Sequence, residues 1–296
     1  MRVFVTGATG FVGSAVVQEL LKAGHQVVGL CRSDAGARAL VAAGVQAHRG
    51  HLQDLESLRR GAARSDGVIH TAFVHDFSKF EENCEIDRRA IEALGDALAG
   101  TNRPLVITSG TGMGSPAPGR PATEDNFNPN HPNPRKCSEL AGAAVAGRGV
   151  NVSVVRLPQV HDEHKQGLVS CSIALAREKG ISAYIGDGLN RWPAVHRLDA
   201  APVYRLALEK GVAGARYHAV AEAGVTAREI AEAIGRGLKI PVVSKSGGEA
   251  AVHFGWLGMF AGMDMPASSA LTQQRLGWHP TNQPGMIADL DQMNYF

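Results

Sequence analysis

His131 and Arg135 stand four residues apart where the Pro-rich stretch HPNPRKCSEL opens towards a helix. Residues at i and i+4 share a helical face, so an imidazole and a guanidinium placed this way can converge on one substrate oxygen. An imidazole moves protons near neutral pH or polarises a carbonyl through its N–H, and a guanidinium holds anions. A nearby Arg135 charge lowers the His131 pKa, leaving a neutral ring at pH 7 that is a better base than acid. Pro disfavours helix in the residue before it, so Pro132 and Pro134 start the helix at Asn133 or Pro134 and leave His131 in the loop. The non-catalytic reading of the same residues is a loop end followed by an Arg135–Glu139 pair across one turn. Ser109 and Thr111, either side of Gly110 after the run RPLVITSG, add hydroxyls that would orient a substrate oxygen. His70 lies within the preceding apolar run, GVIHTAF, and His75 just beyond it.

A second constellation points to a dinucleotide. Gly7, Gly10 and Gly13 form G-x-x-G-x-x-G between the apolar run Val3 to Val5 and the helical pattern SAVVQELLKAG, with Thr9, Phe11 and Val12 inside the loop. Glycines at these places allow a tight turn, close backbone approach to a pyrophosphate, and packing of helix on strand, with the helix N-terminus facing the anion. The end of the next apolar run selects the cofactor. Arg32 and Ser33 stand there, with no acid before Asp34. A guanidinium fork and a hydroxyl suit a 2′-phosphate, so NADP is expected over NAD.

The elements that must position these groups read as repeated βα units with apolar runs, which imply a parallel sheet covered on both faces. The expected fold is α/β: a Rossmann doubly wound parallel sheet over residues 1–160, and a smaller C-terminal substrate lobe over 161–296. Part of the second half, about 198–222, is expected to return to the first sheet. Thr226 and Glu229 form a capping box at a later helix. In the lobe, Phe73, Phe77, Trp192, Phe254, Trp256, Met259 and Met263 are expected to line an apolar pocket, with Arg191 and His196 meeting a polar substrate group.

The bulk numbers exclude several classes. The 296 residues are 44% hydrophobic and 20% charged, with a net charge of +2. That balance gives no pull towards nucleic acid or membrane, and no run approaches the roughly 18–20 apolar residues of a membrane span. No signal peptide is read at MRVFVTGATG. Cys31, Cys84, Cys137 and Cys171 lack any CxxC pairing, which implies reduced thiols in a cytoplasmic protein. The H-x-x-H of HDEHK (His161 to Lys165) lacks a third ligand, so no metal is expected and the segment reads as a flap over the cofactor.

These residues resemble the extended short-chain dehydrogenase/reductase superfamily over nearly the whole chain. TGATGFVG matches its glycine loop, AVHRLDAA and LGWHP its late motifs. The resemblance implies that His51 and Leu52 of HLQD border the adenine, with His51 in place of the usual acid. It implies that Thr71, Ala72 and Phe73 border the ribose and that Pro158 and Val160 of VRLPQVH lie by the nicotinamide. The family's catalytic signature is Tyr-x-x-x-Lys with a Glu four residues after the Lys. Arg135 and Glu139 have that spacing, which sets Arg135 at the Lys position, where it would hold the ribose, and His131 at the Tyr position. No Tyr precedes Tyr184. The chain is therefore read as an atypical member carrying H-x-x-x-R. The implied activity is an NADP(H)-dependent oxidoreductase moving hydride between nicotinamide and a small carbonyl or alcohol substrate. A nucleotide-sugar-type epimerase or dehydratase and a non-catalytic NADP-binding sensor are the alternatives. The resemblance also implies a homodimer through helices around 79–100 and 135–148.

Overall fold

The computed structural model describes residues 1–117, 119–281 and 285–295. The chain begins β1 (Arg2–Thr6), α1 (Phe11–Lys22), β2 (Gln26–Cys31), α2 (Asp34–Ala42), β3 (Gln46–Arg49), α3 (Leu55–Ala63), β4 (Gly67–His70), α4 (Phe80–Asp96), β5 (Pro104–Gly110), α5 (Lys136–Ala146) and β6 (Asn151–Leu157). The strand residues are apolar and often β-branched, buried from both sides as a parallel sheet requires. After β7 (Gln159–His161), α6 (Val169–Lys179), β8 (Ser182–Ile185), β9 (Arg191–His196) and α7 (Arg197–Lys210), the short strand β10 (Arg216–His218) returns to this sheet beside β6. The result is seven parallel strands in the order β3-β2-β1-β4-β5-β6-β10. One face packs on α1, α2 and α7, the other on α3, α4 and α5.

The strand order reverses between β1 and β4. In such a sheet ligands bind in the crevice outside the carboxyl ends of the strands at that reversal. The remaining chain forms β11 (Glu222–Thr226), α8 (Ala227–Leu238), β12 (Val242–Lys245), α9 (Gly247–Phe254), α10 (Gly258–Ala261), α11 (Ala270–Leu276) and α12 (Met286–Gln292). β9 lies between β7 and β11, and β8 pairs with β12. Their core is filled from α6, α8 and α12. α8 opens on the expected capping box: Thr226 Oγ1 accepts from the Glu229 N–H, and the Glu229 carboxylate accepts from the Thr226 N–H. Among the described residues no helix is long and apolar enough to cross a membrane.

Candidate active site

The residues expected to touch a dinucleotide lie at the carboxyl ends of the parallel strands: Gly7 after β1, Arg32 after β2, His51 after β3, Thr71 after β4 and Pro158 after β6; Ser109, expected to orient the substrate oxygen, lies near the end of β5. Gly7 has φ +70°, and its carbonyl accepts from the Gly10 N–H at 2.8 Å. A Cβ on Gly13 would come within 2.0 Å of that carbonyl oxygen, so only glycine fits. Gly10 is the N-cap of α1, with no side-chain cap and no acid in the first turn. Its first N–H groups are therefore open to an anion, with the positive end of the helix dipole behind them. The Thr71 hydroxyl donates to the Thr6 carbonyl at 2.7 Å, and the Ala72 N–H donates to the Thr6 hydroxyl at 3.3 Å, which ties the end of β4 to the start of the loop. Thr9 is exposed, while Phe11 and Val12 pack partly on the core. The Lys165 ammonium lies 5.6 Å from the centre of the Phe11 ring.

At the second strand end, Arg32 is exposed and makes no hydrogen bond or ion pair among the described residues. Ser33 caps α2 by accepting from the Gly36 N–H at 3.1 Å, which leaves its hydroxyl proton free. His51 is exposed, its Nδ1 accepting from the Gln53 N–H at 3.3 Å, and Leu52 packs on the core. Pro158 and Val160 flank Gln159, whose Oε1 accepts from the Leu168 N–H at 3.0 Å.

The catalytic segment differs from its sequence reading. α5 begins at Lys136, with Arg135 as its N-cap, not at Asn133 or Pro134. The reason is local: His131 Nδ1 accepts from the Asn133 N–H (3.1 Å), and Asn133 Oδ1 accepts from the Arg135 N–H (2.9 Å). These side-chain acceptors replace the helical ones and delay the helix. His131 and Arg135 thus share no helical face. The Arg135–Glu139 pair does not form either. Arg135 Nη1 donates to Asp87 Oδ2 at 2.6 Å and to the Ser138 hydroxyl, Nη2 donates to the Thr108 carbonyl at 3.0 Å, and the guanidinium carbon sits 4.0 Å from the centre of the Phe73 ring. Glu139, one turn on, faces β6 and β10 and takes Arg156 with both oxygens (2.7 and 2.8 Å) and Arg216 with one (2.7 Å).

Asp87, on α4, is the residue that sequence reasoning missed. It is 0% exposed, accepts from Ser138 Oγ at 2.6 Å, and lies 3.0 Å from His70 Nε2, whose Nδ1 is 2.7 Å from Thr6 Oγ1. Burial alone would raise the Asp87 pKa, but the Arg135 charge and the hydrogen bonds from His70 and Ser138 outweigh it and hold the carboxyl well below the usual range. Thr108 joins the same network, its hydroxyl reaching the His70 carbonyl (2.7 Å) and the Tyr204 hydroxyl (2.8 Å). His131 is half-buried. Its pKa is lowered first by that burial and then by Lys136, not by Arg135, which is turned to Asp87. Ser109 and Thr111 are both buried, and the Ser109 hydroxyl has no partner among the described residues. His75 has its pKa lowered by loss of solvation and by the charges of Arg135 and Lys165.

This glycine loop and strand order carry a family with them: residues 3–221 match the NAD dependent epimerase/dehydratase family. The chain belongs to that family. It is 52% identical over its whole length to an uncharacterized protein of Schizosaccharomyces pombe, all of which is covered. The crystal structure of the Thermus thermophilus UDP-glucose 4-epimerase complex with NAD matches with a TM-score of 0.75 at 22% identity, covering 100% of this chain and 99% of that one. The dTDP-glucose 4,6-dehydratase DesIV from Streptomyces venezuelae matches with a TM-score of 0.78 at 21% identity, covering 99% and 96%. The extended short-chain dehydrogenase/reductase likeness of the sequence is thereby established, and these two structures share its Rossmann fold.

The structure also places the remaining residues singled out in this epimerase/dehydratase family member, and it corrects part of the substrate-lobe reading. The two imidazoles of HDEHK do not converge: His161 is buried with Nδ1 2.6 Å from Asp289 Oδ2, and His164 is exposed beside Glu163. Asp162 shapes the segment, accepting the N–H groups of His164 and Lys165 (2.9 and 2.8 Å) and pairing with Arg197 at 2.7 Å. Arg191 is not free for substrate, because Asp264 takes its Nε and Nη2 at 3.0 and 2.8 Å. Trp192 and Phe254, both buried, do line a narrow cavity inside the smaller lobe, together with Tyr184, Ile230, Ile234 and His253. Trp192 points with Ala194 from central β9 into the lobe core, and Phe254 closes a small cluster under α6. His196 caps α7 by accepting from the Leu198 N–H.

Proposed function

We propose that this protein is an NADP(H)-dependent oxidoreductase that moves hydride between nicotinamide and a small carbonyl or alcohol. The observation that carries the reading is the hydrogen bond from the Asn133 N–H to His131 Nδ1. It leaves the neutral ring with its proton on Nε2, which has no partner among the described residues and can donate to a substrate oxygen. The lowered His131 pKa then suits the task, since a neutral ring polarises a carbonyl by its N–H and acts as base in the oxidative direction. Ser109, with an unpartnered buried hydroxyl, orients the same oxygen, and Thr111 stands beside it. Arg135, locked by Asp87, is a fixed cation for the ribose or the substrate.

A bound dinucleotide, cradled by Gly7 to Gly13 with Thr71, Ala72, Phe73, Pro158 and Val160 along its length, supplies or accepts the hydride. His51 and Leu52 would border its adenine, and Arg32 and Ser33 would take a 2′-phosphate. The buried carboxylate in this network, Asp87, is spent on Arg135, His70 and Ser138, which weighs against an epimerase or dehydratase mechanism that needs a further free acid or base.

The test is turnover of NADPH and NADH with a carbonyl panel by wild type, His131→Ala and Arg135→Ala. Loss of turnover in both variants, with cofactor binding kept in His131→Ala, supports the reading. Tight cofactor binding with no turnover across the panel makes the protein a sensor, and conversion of a nucleotide sugar without net redox change makes it an epimerase. NADH binding tighter than NADPH would sink the role given to Arg32.

A further inference from the structure

Lys165 is a cation left without a counter-charge. Its side chain is exposed, and its ammonium makes no hydrogen bond or ion pair among the described residues. The acids of its own segment are spent elsewhere. Asp162 Oδ1 accepts the His164 and Lys165 N–H groups, Asp162 Oδ2 pairs with Arg197 at 2.7 Å, and the Glu163 carboxylate faces His164 at 3.4 Å. The Lys165 backbone is fixed at both of its polar groups, since its carbonyl also accepts the Asp162 N–H at 2.9 Å. The Gln166 side chain closes the same turn by donating to the Asp162 carbonyl. A fixed backbone therefore carries a long, unpaired cationic side chain.

β7, which leads into this segment, pairs with β9 outside the seven-stranded sheet. The ammonium nevertheless stands beside the first helix of that sheet: Nζ lies 5.6 Å from the centre of the ring of Phe11, the first residue of α1. Its charge also reaches His75, whose pKa is lowered by loss of solvation and then by Arg135 and Lys165. Phe11 follows β1 and His75 follows β4, the two strands between which the order reverses, so the ammonium stands at the crevice between them. α1 opens there with no side-chain cap and no acid in its first turn. The positive end of the helix and the ammonium thus share one space with neither neutralised, an arrangement that costs free energy until an anion relieves it. We propose that Lys165 is a cofactor-binding residue: its ammonium takes the pyrophosphate of the dinucleotide together with the N–H groups at the start of α1. The diphosphate is then held by two distant parts of the chain, the glycine loop and the segment between β7 and α6. This rests on the dinucleotide site of the proposed function, and on neither His131 nor the hydride step. A nucleoside-diphosphate sugar carries the same diphosphate, and the experiment separates the two sources.

Binding is measured by titration calorimetry on the purified protein with NADPH, NADH, ADP-ribose and UDP-glucose, each at low and high NaCl. ADP-ribose keeps the pyrophosphate and lacks the nicotinamide, so no redox chemistry enters. Lys165→Met keeps the apolar stem and removes the charge, and Lys165→Arg restores a cation. Both changes fall on an exposed side chain, so urea unfolding should be unchanged. We expect Lys165→Met to weaken ADP-ribose and the dinucleotides by roughly 10-fold, the size of a lost charge-assisted contact. Its affinities should also fall less steeply with salt than those of wild type, and Lys165→Arg should recover most of the loss. Equal ADP-ribose affinity in wild type and Lys165→Met overturns the proposal, as does an equal loss in Lys165→Arg, which would mean shape and not charge. A loss for UDP-glucose as large as that for ADP-ribose, or larger, also overturns it and gives the lysine to a substrate diphosphate. Failure of wild type to bind ADP-ribose or either dinucleotide overturns it together with the cofactor site on which it rests. The expected Lys165 effect without turnover of any carbonyl supports the proposal and refutes the oxidoreductase reading.

Discussion

Arg135 and Arg156 are both guanidiniums held by a buried carboxylate, and α5 stands between the two pairs. Arg156 is 0% exposed, and its side chain is occupied on every side: both oxygens of Glu139, the carbonyls of Thr123 (3.2 Å) and Asn126 (2.9 Å), and His218 Nε2 at 3.1 Å. It joins β6, α5, the 123–126 loop and β10. Arg135 has Asp87 and Ser138 on one side but only the Phe73 ring on its face, and its side chain keeps 14% of its exposure. The same pair of functional groups, one turn apart along one helix, acts as a scaffold in one case and carries charge to the wall of the cleft in the other. What separates them is how completely the donors are spent, not the residue types.

If that distinction is right, Glu139→Gln produces the largest loss of stability of the set. It leaves Arg156 and Arg216 without a full counter-charge, and about 3–5 kcal/mol should disappear in urea unfolding. A loss under about 1 kcal/mol would break the comparison. Asp87→Asn should cost less, about 2 kcal/mol, because Arg135 is partly exposed and keeps Thr108 and Ser138. Its mark should be on catalysis, with kcat/KM down by roughly 100-fold as the guanidinium shifts, since misplacement of about 1 Å is enough for that.

The two pairs should also separate by pH. His218, beside Arg156, has its pKa pushed down to about 3 by burial and then by the Arg156 charge. The folded protein refuses a proton that the unfolded chain takes below about 6.5, so this group removes about 1.4 kcal/mol per pH unit as pH falls from about 6.5 towards 3. His218→Gln should flatten that limb of the stability profile. Asp87 has a depressed pKa, so its contribution persists down to about 3.8, the ordinary carboxylate value, and is lost only below it. The smallest effect is expected from Lys136→Gln. It removes a charge that lowers the His131 pKa, so the acid limb of the rate profile should move upward, while Arg135→Lys should leave that limb unmoved.

Backbone demands were legible in the sequence, and partner choice was not. Gly7, Gly10 and Gly13 show their roles because no other side chain fits, and the Thr226–Glu229 box shows its role because both members lie within one turn. Asp87 was hidden: in FEENCEIDRRAIEALGD it reads as one more acid on the polar face of α4, and the guanidinium that permits its burial comes from a loop 48 residues later. Arg135 was placed at the right helix entry, and the Arg135–Glu139 pair offered as its non-catalytic reading does not form, because i,i+4 spacing suggests a partner only where both residues lie inside the helix. Arg191 failed for the same reason, while Trp192 does line a cavity, one buried inside the lobe. A tryptophan beside an arginine resembles a binding site until a central strand turns one inward and Asp264, far along the chain, takes the other.

The edge strand β10 has a consequence for biosynthesis. It is 3 residues long, and its His218 meets Arg156 of β6 across 62 positions of chain. A ribosome that has finished β6 has not yet made the strand that covers it. In that interval five consecutive buried residues, Val152 to Arg156, present an open edge to any other extended segment, and the buried charges of Arg156 and Glu139 lack their last partners. Non-local pairing of this kind closes slowly, so the time spent translating α6, β8, β9 and α7 is the time during which nascent chains are most exposed to one another. A fragment that stops after residue 160 carries that unfinished edge permanently.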